Sequence, residues 1–212
     1  IFLVRHGQSK GNVDKSEYFR NLDSDIELTL KGEQDAHDAA DKIIELNDIL
    51  VHKNDPNYPY HTKYPPYRYN MYHSSYTRAA QTANIIHNKI TSSEGYQINE
   101  FKESPLCVER NWGSLRDIVE AGEKTESHFN FFYRPMGGES FMDCYQRVAL
   151  FHQWLLNTTN QYNNIVVAHG EFNQLYLMYL LGWTVKEYAN WRHGKNGQVF
   201  VVENGQLSSL TP

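Results

Sequence analysis

Short apolar runs alternate along this chain with segments whose apolar residues recur at the helical period, and three of those runs lead, directly or through a few small polar residues, into arginine or histidine. Ile1-Phe2-Leu3-Val4 stops at Arg5-His6-Gly7. Residues 69–73 lead through Ser74-Ser75-Tyr76-Thr77 into Arg78, and Ile165-Val166-Val167-Ala168 ends in His169-Gly170. The first and last of these, continuous and with β-branched residues, read as buried strands, and residues 69–73 read as a further strand. A fourth run, residues 198–203, is followed by the turn signal Asn204-Gly205. Between the runs lie helix patterns. Ala36, Ala39, Ala40 and Ile43 mark residues 31–46 as a helix with Thr29 as its N-cap, and Ala79, Ala83, Ile86 and Ile90 mark residues 77–90. Phe141, Cys144, Val148, Phe151 and Leu155 mark residues 139–156, and Phe172, Leu175, Tyr176 and Tyr179 mark residues 171–181. Strand and helix in alternation predict an α/β fold: a three-layer sandwich in which helices cover both faces of a mostly parallel sheet. Length and the absence of any repeat or composition break predict a single domain over residues 1–212.

Apolar residues make up 40%, enough for a core, and the formal net charge of −5 argues against a general nucleic-acid binder. An acidic chain can still bind an anion through a local cluster of arginines. Cys107 and Cys144 lie far apart and form no CxxC pair, so two free thiols are expected, with a reducing, cytoplasmic compartment. No run of about 18 apolar residues is present, no membrane span is expected, and no signal peptide is visible.

The chemistry is expected where the strands end. In a parallel sheet the carboxyl ends of the strands share one edge, so Arg5, His6, Arg78 and His169 can converge there. The set is coherent for phosphoryl transfer. Arginine presents planar paired donors that match phosphate oxygens. An imidazole can attack phosphorus and hold it covalently, while a second histidine donates to an oxygen as charge moves. Asn12 adds a neutral donor, and the helix starts near Asn12 and Thr77 add partial positive charge. The departing alkoxide also needs an acid. Glu109, between an apolar piece and Trp112-Gly113, is the best placed, because a carboxyl among apolar groups and near phosphate holds its proton more tightly.

Several blocks carry a resemblance in one consistent order. Leu3-Val4-Arg5-His6-Gly7-Gln8-Ser9 with Asn12 is similar to the signature of the histidine phosphatase superfamily, with its phosphoglycerate-mutase-like fold. The likeness continues through Leu28-Thr29-Leu30-Lys31-Gly32, Ser75-Tyr76-Thr77-Arg78-Ala79-Ala80, Glu109-Arg110-Asn111-Trp112-Gly113, Gly137-Gly138-Glu139-Ser140 and Val167-Ala168-His169-Gly170. The resemblance implies that His6 becomes phosphorylated and that Arg5, Arg78 and His169 bind the phosphoryl group with Asn12 assisting. It also implies that Glu109 occupies the proton donor's position, and that neither metal nor cofactor is needed. The segment after Asn12 lacks the Gly-Trp of the family's mutases, and Phe129-Asn130-Phe131-Phe132-Tyr133-Arg134-Pro135 stands where mutases carry Arg-Arg-Ser. The chain therefore resembles the broad-range acid phosphatase branch. It is expected to hydrolyse a phosphorylated small molecule or phosphoprotein. A phosphoglycerate-type mutase, and then a non-catalytic binding protein on the same fold, are the alternatives.

Five secondary expectations follow from single positions. The aromatics at 129–133 either wall the pocket, with Arg134 touching substrate, or pack the core. His73 is expected to be structural, and Glu171 to cap the helix after His169. Residues 52–69, rich in proline and tyrosine, read as a long surface loop. Selectivity is expected in that loop and in residues 113–135.

Overall fold

The computed structural model describes residues 1–54, 67–113, 130–158, 163–191 and 194–208. Residues 55–66 of the expected surface loop and 114–129 of the second variable stretch lie outside the described residues. The described strands are β1 (Phe2–Arg5), β2 (Tyr67–His73), β3 (Tyr96–Glu103), β4 (Asn163–Ala168), β5 (Val199–Glu203) and β6 (Gln206–Ser208). They form one sheet in the order β3-β2-β4-β1-β5-β6. β4 pairs in parallel with β1 and β2, and β2 in parallel with β3, whereas β5 runs antiparallel to β1 and β6. The sheet is thus mixed and mostly parallel, as the alternation predicts.

Side chains leave successive strand positions on opposite faces, and the two faces carry two cores. Leu3, Val166 and Ala168 face α5 (Phe141–Thr158) and α6 (Gly170–Leu181). Phe2, Val4, Ile165 and Val167 face α3 (Leu30–Asn54) and α4 (Thr77–Ser92). The apolar stripes expected on α3, α4 and α5 are the buried ones. On the first face, the Phe151 ring lies edge-on to Tyr72, Phe172 and Tyr176 with centroids 5.9–6.2 Å apart. Truncating so enclosed a ring to alanine costs about 3–5 kcal/mol.

The helix ends follow their sequence. Thr29 Oγ1 accepts from Gly32 N at 3.1 Å and caps α3 as expected. Gly182, at φ +65, closes α6 in the left-handed conformation that glycine adopts without strain. Asn204 and Gly205 both take positive φ and turn β5 into β6. α6 is buried on every side from Gly170 to Met178 rather than along one stripe, because it lies under α7 (Val185–Asn190) as well as on the sheet. β3 is a strand that none of the sequence runs marks. It sits at the sheet edge, alternates between half-buried and exposed, and so carries no apolar run to announce a strand. The polar segment after His6 holds two short helical turns, α1 (Lys10–Val13) and α2 (Glu17–Arg20). No described helix is long and apolar enough to cross a membrane. Cys107 and Cys144 are buried and free.

Candidate active site

β1, β2 and β4 run the same way, so their carboxyl ends stand side by side. His6 N donates to Ala168 O (2.9 Å) and Ser74 N to Val167 O (3.0 Å), which carries the pairing one step beyond the strands. Arg5, His6, Arg78 and His169 are thereby gathered at one edge.

His6 is pinned from several directions. Its Nδ1 lies 2.7 Å from Gly7 O. A carbonyl only accepts, so Nδ1 carries the hydrogen and Nε2 keeps a basic lone pair. Its backbone oxygen accepts from Gly197 N (3.2 Å) and Asn196 Nδ2 (3.2 Å). Gly7 N donates to Thr82 Oγ1 at 3.1 Å. On its other side Gly7 lies so close to α3 that a Cβ there would stand 2.1 Å from Gly32 O. Only two glycines permit that approach, and it fixes the base of the histidine.

Arg78 lies in the first turn of α4 and is 3% exposed. A cation there opposes the helix dipole and is costly to bury. Its Nε donates to His6 Nε2 at 3.2 Å, while Nη1 meets Asp23 O (2.5 Å) and Asp23 Oδ1 (2.9 Å). Its guanidinium lies 5.0 Å from the Tyr76 ring centroid. His169 is the N-cap residue of α6 and is fully buried. Its ring stands 5.1 Å from that of His6, edge to face. Its Nε2 meets Ser74 Oγ at 2.8 Å, and Ser74 Oγ also accepts from Tyr76 N at 3.2 Å. That arrangement lets Ser74 give its one proton to Nε2 and leaves Nδ1, buried and without a partner among the described residues, as an N–H donor. Arg5 is in a comparable state: Nη1 donates to Gly194 O (2.5 Å), whereas Nε is buried and has no partner among the described residues.

Asn12 Oδ1 accepts from Ser9 N, Ser9 Oγ and Asn196 Nδ2, each at 3.0 Å, so its amide NH2 is the group left to donate. Glu109 comes in from the chain after β3. Its carboxylate receives Arg110 N (3.0 Å) and, at the start of α6, Phe172 N (3.0 Å) and Glu171 N (3.3 Å).

The electrostatics are those of a site for an anion. Burial, then Arg78 and Arg5, hold His6 well below the ordinary histidine pKa. Burial, then Arg78, His6 and Arg5, do the same to His169. Both imidazoles are neutral near pH 7, as a nucleophile requires. Burial also lowers Arg5. Burial, reinforced by Glu171, raises Glu109, although its backbone donors and Arg78 pull the other way. Two guanidiniums and two imidazoles thus face a common space, with the more exposed Asp23 as the acidic partner of Arg78. No group of three or more His, Cys, Asp or Glu among the described residues is placed to hold a metal ion.

All six residues singled out from sequence lie at or beside this edge. Other expectations need correction. Arg134 is exposed and paired with Asp143 through Nε (2.9 Å) and Nη2 (2.5 Å), where it braces the start of α5 and is not a free substrate contact. Of the aromatic cluster, Phe131 stacks on Phe141 in the core and Phe132 is exposed, while Phe129 lies outside the described residues. Glu171 is not the cap of α6, since His169 holds that place. It is buried in the first turn and accepts from Tyr188 Oη. His73 is structural as expected: buried, donating to Ser74 O, and packed on Phe101. Sequence reasoning passed over Ser74, Thr82, Asp23 and Asn196. Only Asn196-Gly197, a turn pair before β5, carried a signal.

Comparison with known proteins adds an independent line. The family model "Histidine phosphatase superfamily (branch 1)" matches residues 62–206, a span that includes Arg78, Glu109 and His169 and begins after His6. The phosphoglycerate mutase-like protein AT74 of Arabidopsis thaliana is 27% identical over 219 residues, covering 97% of this chain. The chain spans 65% of that relative's length. A broad-range acid phosphatase of Saccharomyces cerevisiae is 29% identical over 112 residues, covering 48% of this chain and 34% of its own. In fold, a mycobacterial glucosyl-3-phosphoglycerate phosphatase solved with VO3 superimposes with a TM-score of 0.66 at 19% identity, over 94% of this chain and 88% of that one.

Proposed function

The chain belongs to the histidine phosphatase superfamily, and from that premise we propose that it is a phosphomonoester hydrolase working through a phosphohistidine on His6 Nε2. The observation that supports the reading is the pairing of a neutral imidazole lone pair with buried donors: Arg5 Nε and His169 Nδ1 have no partner among the described residues, and Arg78 Nε reaches the lone pair itself. Unsatisfied donors are costly to bury, and a phosphoryl dianion supplies what they lack.

In this reading the substrate's oxygens are taken by Arg5, Arg78, His169 Nδ1 and the Asn12 amide. Arg78 Nε turns from the His6 lone pair to an oxygen and frees the nucleophile. Nε2 attacks phosphorus, the N–P bond forms and the P–O bond to the leaving group breaks. The proton of Glu109 passes to the departing oxygen. Glu109, now a carboxylate, takes a proton from water as its oxygen attacks phosphorus. The P–N bond breaks, its electrons return to Nε2, and phosphate leaves. The cationic side chains supply the charge stabilisation that other phosphatases draw from metal ions.

Hydrolysis is favoured over mutase chemistry because a mutase must grip a carboxylate and shield its phosphoenzyme from water. The Gly-Trp segment of the family's mutases is absent after Asn12. The substrate class is a phosphorylated small molecule, in keeping with the phosphatases among the chain's relatives and structural neighbours. The test is a panel containing p-nitrophenyl phosphate, sugar phosphates and phosphoglycerate, run with and without EDTA. Phosphate release that ignores EDTA, with no isomerised phosphoglycerate, is expected. Isomerisation in preference to release establishes the mutase instead.

A further inference from the structure

A proton donor for phosphoryl transfer must hold its proton in the free site, and the immediate surroundings of Glu109 work against that. Three backbone N–H groups point at its carboxylate, two of them from the first turn of α6, where the helix terminus favours an anion. Arginines face it from several elements. Arg110 follows it in the chain, and Arg147 of α5 donates through Nη2 to Glu109 O at 3.4 Å. Arg78 and Arg5 lie across the site. Hydrogen bonds to the charged form and nearby cations both stabilise a carboxylate, and a carboxylate gives nothing to a leaving group.

The opposing charge comes from the next residue but one after His169. Glu171 is 5% exposed and sits in the same turn of α6 whose N–H groups hold Glu109. Its carboxylate is fixed by the Tyr188 hydroxyl and lies 3.9 Å from Arg110 Nε. Arg110 in turn is clamped between the Trp112 ring at 3.7 Å and the Phe141 ring at 4.1 Å. Among the described residues the other ionisable groups near Glu109 include Glu139, which Arg147 occupies at 2.8 Å, the buried Cys144 thiol, the Tyr18 and Tyr76 hydroxyls, and the neutral His6 and His169 imidazoles.

We propose that Glu171 is a positioning residue of the reaction: a second buried carboxylate whose charge offsets the helix terminus and the arginines, so that Glu109 carries the proton the leaving oxygen takes. The inference rests on the role of Glu109 proposed above. Burial and the Glu171 charge both act to raise Glu109, the direction this role needs. A negative charge held in the same turn of α6 makes a second one on Glu109 more costly, so Glu109 keeps the proton that an acid must give.

The test is Glu171→Gln in the full chain. Glutamine keeps the size of the side chain and an oxygen to accept from Tyr188. The alkaline limb of the kcat/KM profile for an alkyl phosphate such as glycerol 2-phosphate moves down by about one pH unit, the scale on which a neighbouring charge acts. Above the limb the alkyl substrate then loses about tenfold against about twofold for p-nitrophenyl phosphate, whose leaving group departs without a proton. Glu171→Asp, which keeps the charge, restores the limb. An unmoved limb, or equal losses on both substrates, overturns the inference and leaves Glu171 a packing residue. If Glu171→Gln does not fold, Arg110→Gln probes the same pair from the other side: loss of that cation raises the limb, and an unmoved limb overturns the inference. His6→Asn separates the two levels. If it hydrolyses both substrates at the wild-type rate, the phosphohistidine reading falls and this inference with it. If it is inactive while the limb ignores Glu171, only this inference falls.

Discussion

Replacing Arg78 with methionine should disable the enzyme while leaving the fold nearly as stable as before. Arg78 is a buried cation placed against a helix dipole, with a neutral histidine on one side and a partly exposed carboxylate on the other. Methionine fills similar space and removes the charge. Its loss forgoes the bonds to Asp23, which as charged hydrogen bonds represent about 1.5–3 kcal/mol, and the weak contact with Tyr76, about 0.5–1 kcal/mol. Against this, the desolvation of a buried guanidinium, several kcal/mol in effect, is relieved. Asp23, one-third exposed, turns back to water. The two sides cancel to within about 1–2 kcal/mol, which for a chain of this size moves Tm by no more than about 2–8 °C in either direction. The effect on catalysis is one-sided: losing a preorganised donor to the transferring group costs about a hundred- to a thousandfold in kcat. Thermal unfolding and p-nitrophenyl phosphate turnover, measured on one preparation, check both halves. Vanadate should raise Tm of the wild type and not of the variant. A fall in Tm beyond about 10 °C, or activity within about tenfold of wild type, would refute the view that Arg78 is held for the anion.

Three further outcomes follow from the same geometry. The unfolded chain protonates histidine near its ordinary pKa of 6.5, while His6 and His169 stay neutral in the fold. Below that pH the unfolded state therefore binds more protons and stability is lost as pH falls. Urea midpoints taken from pH 7.5 downward should drop, and should drop less steeply in His169→Asn; the reverse slope contradicts the account. Gly7→Ala forces a Cβ to 2.1 Å from Gly32 O and displaces the His6 backbone. Displacement on the scale of 1 Å should lower kcat about a hundredfold, read by steady-state kinetics on variant that still unfolds cooperatively. Ser74→Ala leaves His169 Nε2 without its partner and frees the ring's tautomer. An unpaired buried group costs about 1–3 kcal/mol, and the loss should fall on kcat, with the effect seen for alkyl and aryl phosphates alike.

The parts of this molecule that show in its sequence are those where one physical demand acts alone. β1 and β4 are covered on both faces, so nearly every position must be apolar, and their ends are marked by the abrupt change to Arg5-His6 and His169. The convergence of those residues follows from parallel pairing, which places like ends together. β3 is hidden because an edge strand with one neighbour has no need of an apolar run. Ser74 and Thr82, and the part Asn196 plays beyond its turn signal, are hidden for another reason. Each acts through a single hydrogen bond, or a few, to a backbone or ring some 70 to 190 residues away, and such a contact leaves no period or spacing. Glu171 was visible as a residue and misread as a helix cap, because sequence placed it in the first turn of α6 without its burial beside Glu109.

The central claim is that the His6 Nε2 lone pair becomes the phosphoryl carrier, and rapid quenching tests it most directly. Protein mixed with 32P-labelled p-nitrophenyl phosphate, whose leaving group needs no proton, stopped in alkali within one turnover and mapped by peptide mass spectrometry, should carry acid-labile phosphate on His6, and should carry more of it in Glu109→Gln, where water is no longer activated. Label on any other residue, or turnover that persists in His6→Asn, contradicts the account.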